Sequence, residues 1–219
     1  METNQELENN SAKKLKYIAI AGNIGVGKTT LALKLSKYYK WETQFDTVDD
    51  NPYLEDFYDD MRRWSFNLQI YFLNKRLQNI IEINKIDKTV IQDRTIIEDA
   101  NVFAPNLHDM GLMSTRDFSV YTQMYQRIIS IVQPPDLVIY LKASISTLVS
   151  RIEKRGRPFE SGISIDYLSK LNNYYDKLAS NYSDGKFITI DCNKLNFENN
   201  NEDLGFIINQ IDSSLFGMF

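Results

Sequence analysis

The residues best suited to chemistry in this 219-residue chain are those that can hold phosphate. Gly22-Asn23-Ile24-Gly25-Val26-Gly27-Lys28-Thr29 is a complete G-x-x-x-x-G-K-[ST] loop. Its glycines let backbone N–H groups wrap an anionic phosphate without side chains in the way, and the positive end of a following helix adds to the attraction. The pattern predicts that Asn23, Gly25, Val26, Gly27 and Thr30 build a cradle, that Lys28 reaches the β- and γ-phosphates, and that the Thr29 hydroxyl coordinates Mg²⁺. Asp93-Arg94, at the end of the apolar run Thr89-Val90-Ile91, forms a second anchor. A carboxylate there can hold Mg²⁺ directly or through water, as metal ligand Asp93 beside Thr29, and Arg94 can face phosphate or a nearby acid. Arg151, Lys154, Arg155 and Arg157 place four cations in seven positions just before Gly162, enough to meet charge on a transferring phosphoryl group.

These groups need a scaffold that brings them to one edge. The apolar run Tyr17 to Ala21 reads as a buried parallel strand, and Thr29 to Tyr39 as a helix with Leu31, Leu35 and Tyr38 or Tyr39 on one face. Beyond it, runs of strand length alternate with helical patterns. Strands are predicted near 44–48 and over 89–93, 137–142 and 187–191, and helices over 62–84, 115–132, 145–153, 164–181 and 202–216. Phe118, Tyr121, Tyr125, Ile128 and Val132 share a helical face, as do Ile165, Leu168, Leu171, Tyr175 and Leu178. Such alternation predicts a five-stranded parallel sheet with helices on both faces, a three-layer α/β/α domain spanning residues 15–219 after a frayed tail at 1–14. Neighbouring strand ends in such a sheet lie together, so Asp93 is expected beside the glycine loop. The connections 46–61, 93–114 and 154–163 are expected to carry function, and the Asn-rich stretch 193–201 to be an ordinary surface loop.

Composition narrows the partners. A net charge of −4 argues against general affinity for nucleic acid. No apolar run approaches the roughly 18 residues of a membrane span, and Met1 to Lys14 lacks a signal-peptide core. The single cysteine, Cys192, forbids an internal disulfide and fits the cytoplasm.

Four ordered segments together resemble the P-loop deoxynucleoside kinases, the family of deoxycytidine, deoxyguanosine and deoxyadenosine kinases. GNIGVGKTT looks like the family's phosphate loop, and RWSFNLQIYF (Arg63 to Phe72) like the helix whose glutamine reads the base. DRTIIEDANVF (Asp93 to Phe103) is similar to its acid-Arg-Ser segment, and RIEKRGRPFESGISIDYL (Arg151 to Leu168) to its arginine-rich lid.

The resemblance implies roles residue by residue. Gln69 matches the glutamine that hydrogen-bonds the base, Arg76 and Asp99 the pair at its far side, and Phe103 the aromatic that stacks on it. Tyr58 and Glu160 match the pair that binds the 3′-hydroxyl. Arg94, Arg151 and Arg155 match positions that contact phosphate or the base catalyst, with Arg157 joining the phosphate set. The catalytic base is a glutamate in the family; Asp46 stands at that position, one methylene shorter, with Asp49 and Asp50 as alternatives. Phe159 replaces an acid of the deoxycytidine members and Asn51 an aromatic near the base. The resemblance also implies a homodimer, paired through the long helices 62–84 and 115–132.

The implied activity is ATP-dependent phosphorylation of the 5′-hydroxyl of 2′-deoxynucleosides, deoxyadenosine or deoxyguanosine preferred and deoxycytidine accepted, with Mg²⁺. Two other readings share the glycine loop. A nucleoside monophosphate kinase such as thymidylate kinase needs extra cations between Asp46 and Arg63 for the acceptor phosphate, and that segment is mostly acidic. A nucleotide-dependent switch expects D-x-x-G where this chain reads Asp93-Arg94-Thr95-Ile96.

Overall fold

A computed structural model of the chain describes residues 15–45 and 51–217. The predicted tail at 1–14 and the base candidates Asp46, Asp49 and Asp50 lie outside the described residues. Five parallel strands form the sheet: β1 (Tyr17–Gly22), β2 (Glu42–Gln44), β3 (Val90–Asp93), β4 (Leu137–Lys142) and β5 (Lys186–Asp191), in the order β2-β3-β1-β4-β5. Every residue of β1 is buried, because the strand is covered on both faces. Tyr17, Ala19 and Ala21 pack into one apolar cluster and Ile18 and Ile20 into another, as the twofold alternation of a strand requires.

Helices α3 (Met61–Ile83), α6 (Thr115–Ile129) and α8 (Ile165–Asn181) fill the first cluster, and α1 (Lys28–Tyr39) and α9 (Asn201–Phe216) the second. The result is the predicted three-layer α/β/α arrangement. From β1 the chain builds β2 and β3 on one side and later β4 and β5 on the other, which opens a crevice at the carboxyl end of β1. Register fixes its edges, with Ile20 opposite Asp93 and Gly22 opposite Leu141.

Several sequence expectations are corrected. The 93–114 connection is mostly helical: α4 (Ile96–Glu98), a π-helical turn (Asp99–Phe103) and α5 (Ala104–Asp109). A capping box starts it, the Thr95 hydroxyl accepting from Ile97 N–H and Glu98 reaching back to the Thr95 N–H. The π turn breaks the 3.6-residue period, and Pro105 follows it, so periodicity gave no signal. Within 46–61 the described part carries α2 (Leu54–Asp59). The 154–163 segment begins inside α7 (Ile145–Arg155) and continues as a 3₁₀ turn (Pro158–Gly162). The second strand lies at Glu42–Gln44, earlier than expected. Of the alternatives Tyr38 and Tyr39, Tyr39 packs against the second cluster and Tyr38 is 57% exposed, while Ile165 is 65% exposed rather than core.

Candidate active site

A cleft of about 820 Å³ lies above the carboxyl ends of β1 and β3. Its floor is the glycine loop, and Ile24 to Thr30 line it. Gly25 and Gly27 have φ of 81° and 105°, where a side chain would be strained. A Cβ on Gly25 would come within 2.7 Å of Ile152, so the loop is seated tightly on α7. The Lys28 ammonium donates to the carbonyls of Gly22 (2.8 Å) and Asn23 (3.1 Å). Burial, with Arg94 nearby, pushes its pKa down to about 8, and an arriving polyanion would favour the charged form. Asn23 also anchors the loop. Its side chain is buried and donates to the Leu168 carbonyl (2.9 Å) and Asn172 Oδ1 (2.7 Å), which ties the loop to α8 and turns the amide away from the cleft.

Asp93 stands beside the loop as expected. The Thr29 hydroxyl donates to its Oδ2, while its Oδ1 is buried with no hydrogen-bond partner. A buried carboxylate oxygen next to a hydroxyl is a hard oxygen pair that fits Mg²⁺. Arg94 has φ 67°, uncommon for a non-glycine residue; its N–H donates to the Ile20 carbonyl (3.0 Å) and its guanidinium lies 4.4 Å from the Phe103 ring centroid.

The deeper end of the cleft is walled by Gln69, Asp99 and Phe103. Gln69 is 2% exposed, and its Oε1 has no protein partner. The Asp99 carboxylate pairs with Arg76 Nε at 3.2 Å, both fully buried. Arg76 is not on the cleft wall. It backs Asp99 and cancels its charge, so truncating either partner would leave a buried ion uncompensated. Phe103 sits in the π turn, edge-on to Tyr175 with centroids 6.3 Å apart.

From the lid side, Glu160 is buried and accepts from Arg155 Nη2 (2.6 Å) and Nε (3.1 Å), with Arg157 Nη1 at 3.6 Å. Tyr58 stacks on Phe159 at 5.8 Å; burial and the Glu160 charge push its phenol well above the ordinary range, so it stays a donor. Arg151 lines the cleft and also braces it. Its guanidinium donates to the carbonyls of Val26 (2.7 Å), Cys192 (3.0 Å) and Leu195 (3.4 Å) and clasps two loops together.

One wall was missed. Asn193 to Glu198 line the cleft, so the Asn-rich stretch is not an ordinary surface loop. Phe197 is buried against Gly27, where a Cβ would meet its ring at 3.1 Å. The available signal was position: this stretch follows the last strand at the sheet's carboxyl edge.

The deoxynucleoside kinase family model matches residues 18–216, nearly the whole chain. This chain belongs to the deoxynucleoside kinase family. The kinase is 37% identical over 205 residues to the deoxyadenosine/deoxycytidine kinase of Bacillus subtilis, which covers 91% of this chain and 93% of that one. It is 42% identical over 167 residues to the deoxyadenosine kinase of Dictyostelium discoideum, covering 76% and 68% of the two chains. Among solved structures, the deoxyadenosine kinase from M. mycoides with dCMP and a flexible dCDP superposes with a TM-score of 0.81 at 32% identity, covering 90% of this kinase and 99% of that chain. The same M. mycoides enzyme with dATP gives a TM-score of 0.80. Phosphorylation of deoxynucleosides by ATP is therefore the activity of this kinase, and the monophosphate-kinase and switch readings find no support.

Proposed function

We propose that this kinase acts on purine deoxynucleosides, deoxyadenosine or deoxyguanosine preferred and deoxycytidine accepted, as a cytoplasmic Mg²⁺-dependent homodimer. The observation that carries the base preference is the wall of the deep end. Gln69 Oε1 is buried without a partner, and the Asp99 carboxylate, paired with Arg76 on its far side, faces the same space, so the wall offers acceptors to an amino-bearing base. Adenine, cytosine and guanine each carry an exocyclic amine and thymine carries none, so thymine would leave the Gln69 acceptor unpaired. Relatives named for deoxyadenosine, deoxycytidine and deoxyguanosine agree with that reading.

In the reaction so assigned, Phe103 stacks on the base and Tyr58 and Glu160 hold the 3′-hydroxyl. The 5′-hydroxyl then points at the glycine loop. Asp46 takes its proton as the oxygen bonds to the γ-phosphorus, while the bond from that phosphorus to the β–γ bridging oxygen breaks and ADP leaves. Lys28, Arg94, Arg155 and Arg157 meet the charge on the phosphoryl group, and Arg151 keeps the cradle in shape. Thr29 and Asp93 would hold Mg²⁺, which neutralises triphosphate charge. The dimer would pair α3 and α6, whose outer surfaces expose Ile81, Val120 and Met124.

The test is a panel: Mg²⁺-ATP with each of four deoxynucleosides and, separately, their monophosphates. Turnover of deoxyadenosine or deoxyguanosine at least about tenfold above thymidine in kcat/KM is expected. Thymidine as the best substrate would overturn the base assignment, and turnover of monophosphates alone would overturn the acceptor class.

A further inference from the structure

The peptide of Gly22, where β1 turns into the phosphate loop, is gripped by side chains from two distant segments. Its N–H donates to Glu98 Oε1 at 3.0 Å. Its carbonyl accepts from Lys28 Nζ at 2.8 Å and lies 2.8 Å from the Tyr175 hydroxyl. That hydroxyl is also 2.7 Å from Glu98 Oε1, and Glu98 Oε2 accepts from the Thr95 N–H at 2.8 Å. Glu98 and Tyr175 are fully buried, and neither lines the cleft. They cannot touch either substrate. Whatever they do for the reaction, they do through Gly22.

Gly22 is closed in on its other flank as well. A Cβ there would come within 2.7 Å of the Leu141 carbonyl oxygen and 2.9 Å of Val26, so the peptide has little room of its own and its tilt is set by the groups that hold it. Lys28 hangs on the same carbonyl. On the far side, Glu98 directly precedes Asp99 at the start of the π turn, and Tyr175 meets Phe103 edge-on while stacking on Tyr140 at 5.5 Å. The phosphate-side lysine and the base-side wall therefore share two side chains.

We infer that Glu98 and Tyr175 are a positioning pair for phosphoryl transfer: together they fix the Gly22 carbonyl that holds Lys28 and couple it to the segment carrying Asp99 and Phe103. The inference rests on the assignment of Lys28 as the triphosphate lysine. A displacement of that carbonyl moves the ammonium with it, and a misplacement of about 1 Å can cost about 10²-fold in transfer.

Tyr175→Phe is the decisive variant, because it removes one hydroxyl and keeps both ring contacts. It is expected to lower kcat about tenfold and to weaken a non-hydrolysable ATP analogue about fivefold in calorimetry, with KM for deoxyadenosine within about twofold of wild type. Glu98→Gln, which keeps an oxygen for the Gly22 N–H, should rescue most of what Glu98→Ala loses. The discriminating measurement is Lys28→Ala combined with Tyr175→Phe. Since the pair acts through Lys28, the tyrosine change should cost nothing further in kcat or analogue affinity on the Lys28→Ala background. A merely structural tyrosine would give equal losses on both backgrounds, and that result would overturn the pairing. So would a Tyr175→Phe enzyme with wild-type kcat and analogue affinity. If Lys28→Ala itself costs nothing, the lysine assignment fails and the inference with it. Should Glu98→Ala not fold, Tyr175→Phe and the double variant still decide.

Discussion

Thr29 and Asp93 meet across the gap between α1 and β3: the threonine hydroxyl donates to Asp93 Oδ2, and Oδ1 of the same carboxylate is buried without a partner. The contact follows from sheet register, which sets Asp93 opposite Ile20, two residues before the glycine loop begins. A buried acceptor left open is costly in a structural setting and useful at a site that receives a cation.

Asp93→Asn tests this use of the open oxygen. The amide keeps the shape and can still meet Thr29, but it loses the charge that attracts a divalent ion. At saturating ATP and deoxyadenosine, kcat should fall about 10²- to 10³-fold, and the Mg²⁺ concentration for half-maximal rate should rise. Steady-state rates over a Mg²⁺ titration measure both. An unchanged Mg²⁺ dependence would assign Asp93 to structure alone.

Glu160 has two claims on it, the sugar and the arginines Arg155 and Arg157. Comparing deoxyadenosine with 2′,3′-dideoxyadenosine separates them. If the carboxylate receives the 3′-hydroxyl, Glu160→Gln should lower kcat/KM for deoxyadenosine about 10- to 100-fold and leave the dideoxy substrate nearly unaffected. Equal losses on both substrates would mean that Glu160 serves only to hold Arg155 in place.

Much of this site is readable in the sequence. Lys28, Thr29 and Asp93 are tied to a glycine loop and a strand end, and parallel-sheet topology leaves little freedom in where such ends meet. The bracing contacts around the cleft are not readable. Arg151 looks like one more lid cation in sequence, yet it is bound to three backbone carbonyls whose positions depend on loops far apart in the chain. Arg76 lies two helical turns from Gln69, which suggests a shared face. That spacing does not reveal that the Asp99 carboxylate stands between the guanidinium and the cleft. Glu98 gave no signal beyond an acid in the first turn of a short helix. Its meaning comes from Gly22 and Tyr175, 76 and 77 residues away.

Cys192 gives a pH-dependent reading of the same edge. Burial pushes its thiol up to about 12 from an ordinary 9, against the opposing charge of Arg151. An acid whose folded pKa is raised keeps its proton in the native state while the unfolded chain loses it. The stability it contributes is therefore complete below pH 9 and declines as pH rises from there toward 12. Native enzyme at pH 8 should react with a thiol-specific disulfide reagent at least about 100-fold more slowly than urea-unfolded chain. Between pH 9 and 10 the wild type should lose stability faster than Cys192→Ala, as chemical denaturation at several pH values would measure. Rapid labelling of the native enzyme would refute the burial on which this rests.

Asp46→Asn addresses the proton. β2 ends at Gln44, which pairs with Gln92 immediately before Asp93, so the chain leaves the sheet at the edge of the cleft where the 5′-hydroxyl is assigned. A primary alcohol is a poor nucleophile, and a carboxylate that receives its proton in the transition state contributes about 10²- to 10⁴-fold. The asparagine variant should lose that much in kcat while its dissociation constant for deoxyadenosine, measured by calorimetry, stays within about twofold, since the interaction it lacks is made only in the transition state. Asp46→Glu restores the residue type that the family carries at this position and should retain far more activity than Asp46→Asn. An unimpaired Asp46→Asn enzyme would move the base to Asp49 or Asp50, and the same pair of measurements on their asparagine variants would then locate it.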